Sequence, residues 1–232
     1  MDREQLERQF RLAKESGHPE DAEALVRALL ASNSPETLEY HFSLLRDREN
    51  KPLYYRIRAS FKDHGPDAEK YLLQRVKTER DPRLLADACV LLATMSSTEA
   101  LPLARRMAES NDPELRYQGI AVIGWMGDEG DHAVVAAALL RDQDARVRSY
   151  AASALAQMHK RLPALQEKSL SFLLQAIETE RDEDSLARII FSVQEISRKK
   201  FGLKWDANEG VFVGNVAEAR EKARIAFGRR GN

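Results

Sequence analysis

The chain has 232 residues, with 36 Lys and Arg against 37 Asp and Glu and a formal net charge of -1. That balance excludes a globally basic nucleic-acid binder, and the single cysteine, Cys89, excludes an internal disulfide framework and fits a reducing cytoplasm. Gly 11 and Pro 8 are low usage, while 31% of residues are charged and 7% aromatic, which favours long solvated helices over short strands. No apolar run approaches the roughly 20 residues of a membrane span. The opening Met1-Asp2-Arg3-Glu4-Gln5 is polar and lacks the apolar stretch of a signal peptide, so a cytoplasmic protein is expected.

In chain order, short amphipathic segments alternate with longer ones. The spacing predicts first helices at about 3–16, 35–47, 67–79, 98–110, 130–141 and 163–180, and partner helices at about 19–32, 51–63, 82–95, 113–126, 145–160 and 183–200. The partner helices repeat. Asp81-Pro82-Arg83-Leu84, Asp112-Pro113-Glu114-Leu115 and Asp144-Ala145-Arg146-Val147 each begin with a carboxylate that can accept from free backbone N–H groups. In the first two, Pro stands at the first helical position, where its missing N–H costs nothing. The apolar register Ala22, Leu53, Leu84, Leu115 and Val147 advances by 31, 31, 31 and 32 residues. Positions four and eight further on (Ile57, Ala88, Gly119, Ala151; Phe61, Leu92, Ile123, Leu155) continue one helical face, so all five register positions are expected to be buried in a row. Leu186 opens a sixth copy, 39 after Val147. Helix pairs of this period cannot bury their faces alone and must stack.

Beyond Lys200 the pattern stops. Gly202 is expected near the end of the last helix, Glu209–Gly214 reads as a small hairpin or an extended cap, and Ala217–Phe227 as a short helix. Phe201, Trp205 and Phe212 are expected to cover the end of the stack.

The repeat resembles the bacterial HEAT-like families, including the short units of phycobilisome lyases, and Asp112-Pro113-Glu114-Leu115-Arg116 and Asp144-Ala145-Arg146-Val147-Arg148 carry the resemblance. Asn50-Lys51-Pro52-Leu53 departs from the pattern by replacing the Asp and shifting the Pro. The expectation is an all-α, right-handed α-solenoid of about six HEAT-like helix pairs over residues 1–200, closed by a C-terminal aromatic cap with a short helix over 201–232. The resemblance implies that Arg116 and Arg148 bridge neighbouring repeats in a ladder with Asp side chains, and that the partner helices line a concave side.

No catalytic constellation stands out. The five histidines are scattered without ligand spacing, Asp128-Glu129-Gly130-Asp131-His132 reads as a polar turn, and no phosphate-binding loop or nucleophile elbow occurs. Basic residues around Arg141–Arg161 are interleaved with acids, so nucleic acid is not an expected partner. No cofactor or metal is expected.

The partner helices carry one unusual stripe. Offsets of two, six and nine from the register residue point away from the packed face, and there stand Ala24, Tyr55, Ala86, Tyr117 and Ser149, then Ala28, Ala59, Val90, Ala121 and Ser153, then Ala31, Lys62, Ala93, Gly124 and Ala156. Small side chains there either let neighbouring helices approach or shape a groove for a polypeptide. On the second reading, another protein or peptide contacts Tyr55, Arg58, Tyr117, Gln118, Trp125 and Gln157, with the aromatics as anchors. The expected function is therefore non-catalytic: an adaptor or inhibitor, of which a toxin-neutralising bacterial immunity protein is one form. The competing class is an enzyme on a helical-repeat scaffold, either bilin lyase-like or DNA glycosylase-like with Trp125 and Asp128.

Overall fold

In the computed structural model, residues 3–228 are described. The chain divides into two compact units, Met1–Pro102 and Leu103–Asn232. The ends of the two expected segments, residues 1–2 and 229–232, lie outside the described residues.

The described residues form an all-α helical repeat with one small hairpin. The first unit holds α1 (Arg3–Ser16), α2 (Pro19–Leu29), α3 (Pro35–Ser43), α4 (Lys51–Ser60), α5 (Pro66–Thr78) and α6 (Pro82–Thr94). Helix α7 (Ala100–Ala108) spans the boundary, and α8 (Pro113–Met126), α9 (His132–Arg141), α10 (Ala145–Arg161), α11 (Gln166–Thr179) and α12 (Glu183–Ser197) follow. Six helix pairs thus stand where the periodicity places them. Single 3-10 turns extend α3 and α4 and precede α9 and α11.

Local chemistry sets the starts. Asp81, Asp112, Asp144 and Asp182 each accept a backbone N–H from the first turn of α6, α8, α10 and α12. Asn50 does the same for Leu53 N–H at 3.1 Å, so the copy that departs from the motif keeps its cap through an amide oxygen. The last repeat ends differently from expectation. Its C-cap is Arg198 in the left-handed conformation (φ 60°), and Gly202 lies four residues further on.

Packing within each unit follows sequence order. In the first, α2 lies on α4 and α4 on α6, with α3 on α5. In the second, α10 lies between α8 and α12, and α11 packs on α9. Ala22, Leu53, Leu84 and Val147 are buried as expected, but Leu115 is only half-buried. The packed stretch of α8 begins one turn later, at Gly119, because every residue from Asp112 to Gln118 stays partly open.

The small stripe requires a second correction. Ala28, Ala86, Val90, Ala121, Gly124 and Ala156 are buried rather than turned away from the core. A second helix has its partner beneath it and neighbouring second helices beside it, so its buried sector is wider than one core-facing face. At Gly124, an added Cβ would stand 2.8 Å from the Ala154 Cβ on α10. The steric reading of the stripe holds at these positions.

The tail forms a hairpin, β1 (Lys204–Asp206) and β2 (Val211–Val213), antiparallel with Trp205 opposite Phe212, followed by α13 (Val216–Phe227). Gln194 on α12 pins its start, accepting from Phe201 N–H at 2.6 Å and donating to the Leu203 carbonyl at 2.9 Å. Phe201 and Leu203 are buried, and α13 packs on α11 and α12. Trp205, expected in the cap, remains 41% exposed.

Candidate functional site

Most ionisable groups that leave water serve the architecture. Asp142 receives both Nε and Nη2 of Arg116, at 2.7 and 2.9 Å, and accepts from Asp144 N–H. Glu180 receives the same two donors of Arg148, at 2.7 and 2.8 Å, and accepts from Arg181 and Asp182 N–H. Glu79 in the first unit accepts from Arg80 and Asp81 N–H and meets Arg75. The ladder implied by the resemblance is present, but its acids stand two residues before the capping Asp and are not the caps themselves. The triplets Glu79-Arg80-Asp81, Asp142-Gln143-Asp144 and Glu180-Arg181-Asp182 carried that signal in the sequence. Burial pushes the Glu180 carboxyl up, yet Arg148, the two N–H groups and Ser185 together hold it at about 2.

In the first unit, the face of α4 and α6 gathers around Asp87. This carboxylate, 1% exposed, accepts from Tyr54 Oη at 2.5 Å, Arg48 at 2.7 Å and Arg58 at 3.2 Å. Burial raises its pKa against the pull of those three partners. Arg58 also lies 5.5 Å from the ring centres of both Tyr54 and Tyr55. Of the two contact residues expected here, Arg58 is therefore held by a buried acid, while Tyr55 stands 56% exposed.

In the second unit, Trp125 is 37% exposed at the end of α8, and Tyr117, Gln118 and Gln157 are half-buried. Arg161 of α10 donates to the carbonyls of Gly124 and Gly127 and so closes the end of α8 beside Trp125. The Gln157 side-chain oxygen is buried without a hydrogen-bond partner. Tyr117 meets Tyr150 edge to face, with ring centres 4.4 Å apart. Both tyrosines lie near Arg188 of α12, whose guanidinium lies 4.6 Å from the Trp205 ring and 4.4 Å from Phe212. Sequence reasoning missed this row because Tyr150 sits at offset three from Val147, outside the stripe, and because the hairpin that completes it is not part of the repeat; Arg188, at offset two from Leu186, does lie on the stripe.

The remaining candidates resolve as structure. Asp128 accepts from Gly130 N–H and pairs with Arg105, which also binds Asp131. His132 meets Ser169 at 2.9 Å. His41 and His64 are buried against each other at 2.9 Å, with the second nitrogen of His41 on the Ile57 carbonyl. Burial pushes the His41 pKa down to about 3. Among the described residues, no group of three His, Cys, Asp or Glu is arranged to hold a metal ion. No helix among them is long and apolar enough to cross a membrane.

Paired helices that repeat every 31–32 residues, with a capping Asp and an interrepeat arginine, define a helical-repeat scaffold of the kind that commonly binds other proteins. Residues 69–156 match the family model of HEAT repeats, so the chain resembles HEAT-like repeat proteins over that stretch. The matched stretch runs from α5 to α10. No curated protein matches the chain.

Proposed function

We propose that this is a non-catalytic protein-binding repeat protein, an adaptor or inhibitor that receives a partner polypeptide on its second helices. The observation that carries the reading is aromatic exposure on second helices of each unit taken by itself: Tyr55 at 56% in the first and Trp125 at 37% in the second. Aromatic side chains bury large area at small entropic cost, which is why they dominate binding hot spots. Tyr117, half-buried against Tyr150, adds an anchor already held in one orientation. Support for a non-catalytic role comes from the occupation of the ionisable groups. Asp87, Asp128, Asp131, Asp142 and Glu180 are each bound to arginine, and all but Asp87 also accept backbone N–H groups. Asp128, the acid of the glycosylase-like alternative, is one of these. Neutralising a toxin in the bacterial cytoplasm is one form such an inhibitor takes.

The test is titration of the protein that co-purifies from native cells against wild type, Tyr55→Ala and Trp125→Ala, with melting curves to confirm folding. A central anchor loses about 2 kcal/mol of binding, roughly thirtyfold in affinity. Wild-type affinity in both variants would remove the second-helix face from the interface. Tight, salt-sensitive binding of nucleic acid by the wild type would replace the reading altogether.

A further inference from the structure

Arg188 is an outlier among the half-buried arginines. Arg48, Arg58, Arg75, Arg116, Arg148 and Arg224 each meet a carboxylate, and Arg220 donates to the Glu178 carbonyl. Arg188 makes neither an ion pair nor a hydrogen bond among the described residues; its neighbours are the faces of Trp205 and Phe212. Glu195, the acid that bears on it, is bound to Lys160 at 2.9 Å. A guanidinium keeps its charge under all ordinary conditions, and a half-buried charge without a counter-ion is unfavourable until a partner arrives. A ring stacked on its face orients the group while leaving its in-plane N–H donors open, the edge that takes a carboxylate in two parallel bonds.

We propose that Arg188, with Tyr117, Tyr150 and Trp205, is a docking site for an extended acidic segment of a partner polypeptide, with one Asp or Glu carboxylate seated on the guanidinium. This rests on the protein-binding reading and names the chemistry of the partner. The row crosses α8, α10 and α12 and ends on the hairpin. At about 8–10 Å between packed helices it spans on the order of 20–25 Å, the length of roughly seven extended residues. One carboxylate fits better than a phosphate chain, because a polyanion needs a track of free cations. Arg116 on α8 and Arg146, Arg148 and Lys160 on α10 are all bound to acids.

The experiment selects ligands from a random heptapeptide library displayed on phage, using the full chain. Wild type is expected to enrich Asp or Glu at one fixed position between apolar residues. Changing that acid to its amide, or Arg188→Gln in the protein, should lower affinity at least tenfold, and Arg188→Lys severalfold because the planar fork is lost. Melting curves establish that each variant is folded, and Lys77→Gln, at an exposed position on α5 outside this row, should bind as wild type does. Selected peptides without an enriched acid, equal affinity for acid and amide, unchanged binding by Arg188→Gln, or no selection at all would each overturn the proposal. The co-purified-partner titration tests the protein-binding reading separately, so that reading survives if its aromatic variants still lose affinity. A thymidine oligonucleotide bound tightly by wild type and not by Arg188→Gln would overturn the proposal in favour of phosphate.

Discussion

The two units reach a packed helical repeat by different means. In Leu103–Asn232 the same device recurs: an arginine near the start of α8 or α10 reaches an acid before the next capping Asp, and a small residue such as Gly124 lets second helices touch. In Met1–Pro102 the solutions are individual. The His41–His64 pair fills one part of the core, Asp87 with two arginines another, and 3-10 turns shorten α3 and α4 as regular helices. The difference teaches that repeat regularity and structural integrity are separable. An irregular copy stays folded as long as each buried polar group finds its partners.

The largest expected effect lies in the irregular unit. Asp87→Ala should cost about 3–5 kcal/mol, because it leaves Arg48, Arg58 and the buried Tyr54 hydroxyl without their acceptor. Denaturant unfolding with an unchanged m-value measures it, and hydrogen exchange should place the loss in α4 and α6. Parity with the wild type would mean that the buried cluster is not what holds this unit. In the regular unit, Gly124→Ala should destabilise by about 1–3 kcal/mol, since overpacking against Ala154 outweighs the better helix propensity of Ala. A stabilised variant would show that α8 and α10 have room to move apart.

Acid should separate the units further. The unfolded chain protonates His41 below its ordinary 6.5, whereas the folded chain resists until about 3, so this group contributes stability that is lost as pH falls across that window. Glu180 behaves likewise at lower pH, its contribution being lost between its ordinary 4.5 and about 2. Melting temperature should therefore fall below about pH 6.5, and His41→Phe should flatten the upper part of that decline while Glu180→Gln flattens only the lower part. Unaltered pH profiles in both variants would exclude these groups as the cause. The smallest expected effects are at the exposed anchors: Tyr55→Ala and Trp125→Ala should each change stability by about 0.5 kcal/mol or less, as surface substitutions do. A large loss at either would mark it as part of the fold and weaken its claim as a partner contact.

Much of the fold was legible because helix caps and apolar periodicity are local. Asp81, Asp112 and Asp144 mark helix starts within a residue, and the 31-residue register identifies the pairs. The candidate site was legible only in pieces. Tyr55 is exposed as periodicity suggests, but Ala121 and Gly124 at stripe positions are buried, because a single-helix wheel sees the partner beneath and not the neighbours beside. The acid-x-Asp triplets were visible and passed over, since nothing in one triplet says which arginine will reach it.

The sequence by itself determined the helix pairs, their order and the polar caps that start them, since each depends on residues within a few positions of one another. Only the tertiary structure decided which small residues become helix contacts, that Asp87 is closed in by Arg48 and Arg58, and that Arg188 is left facing aromatic rings without an acid. Those outcomes depend on side chains brought together from separate helices and from a hairpin outside the repeat, and a periodic pattern holds no record of such meetings.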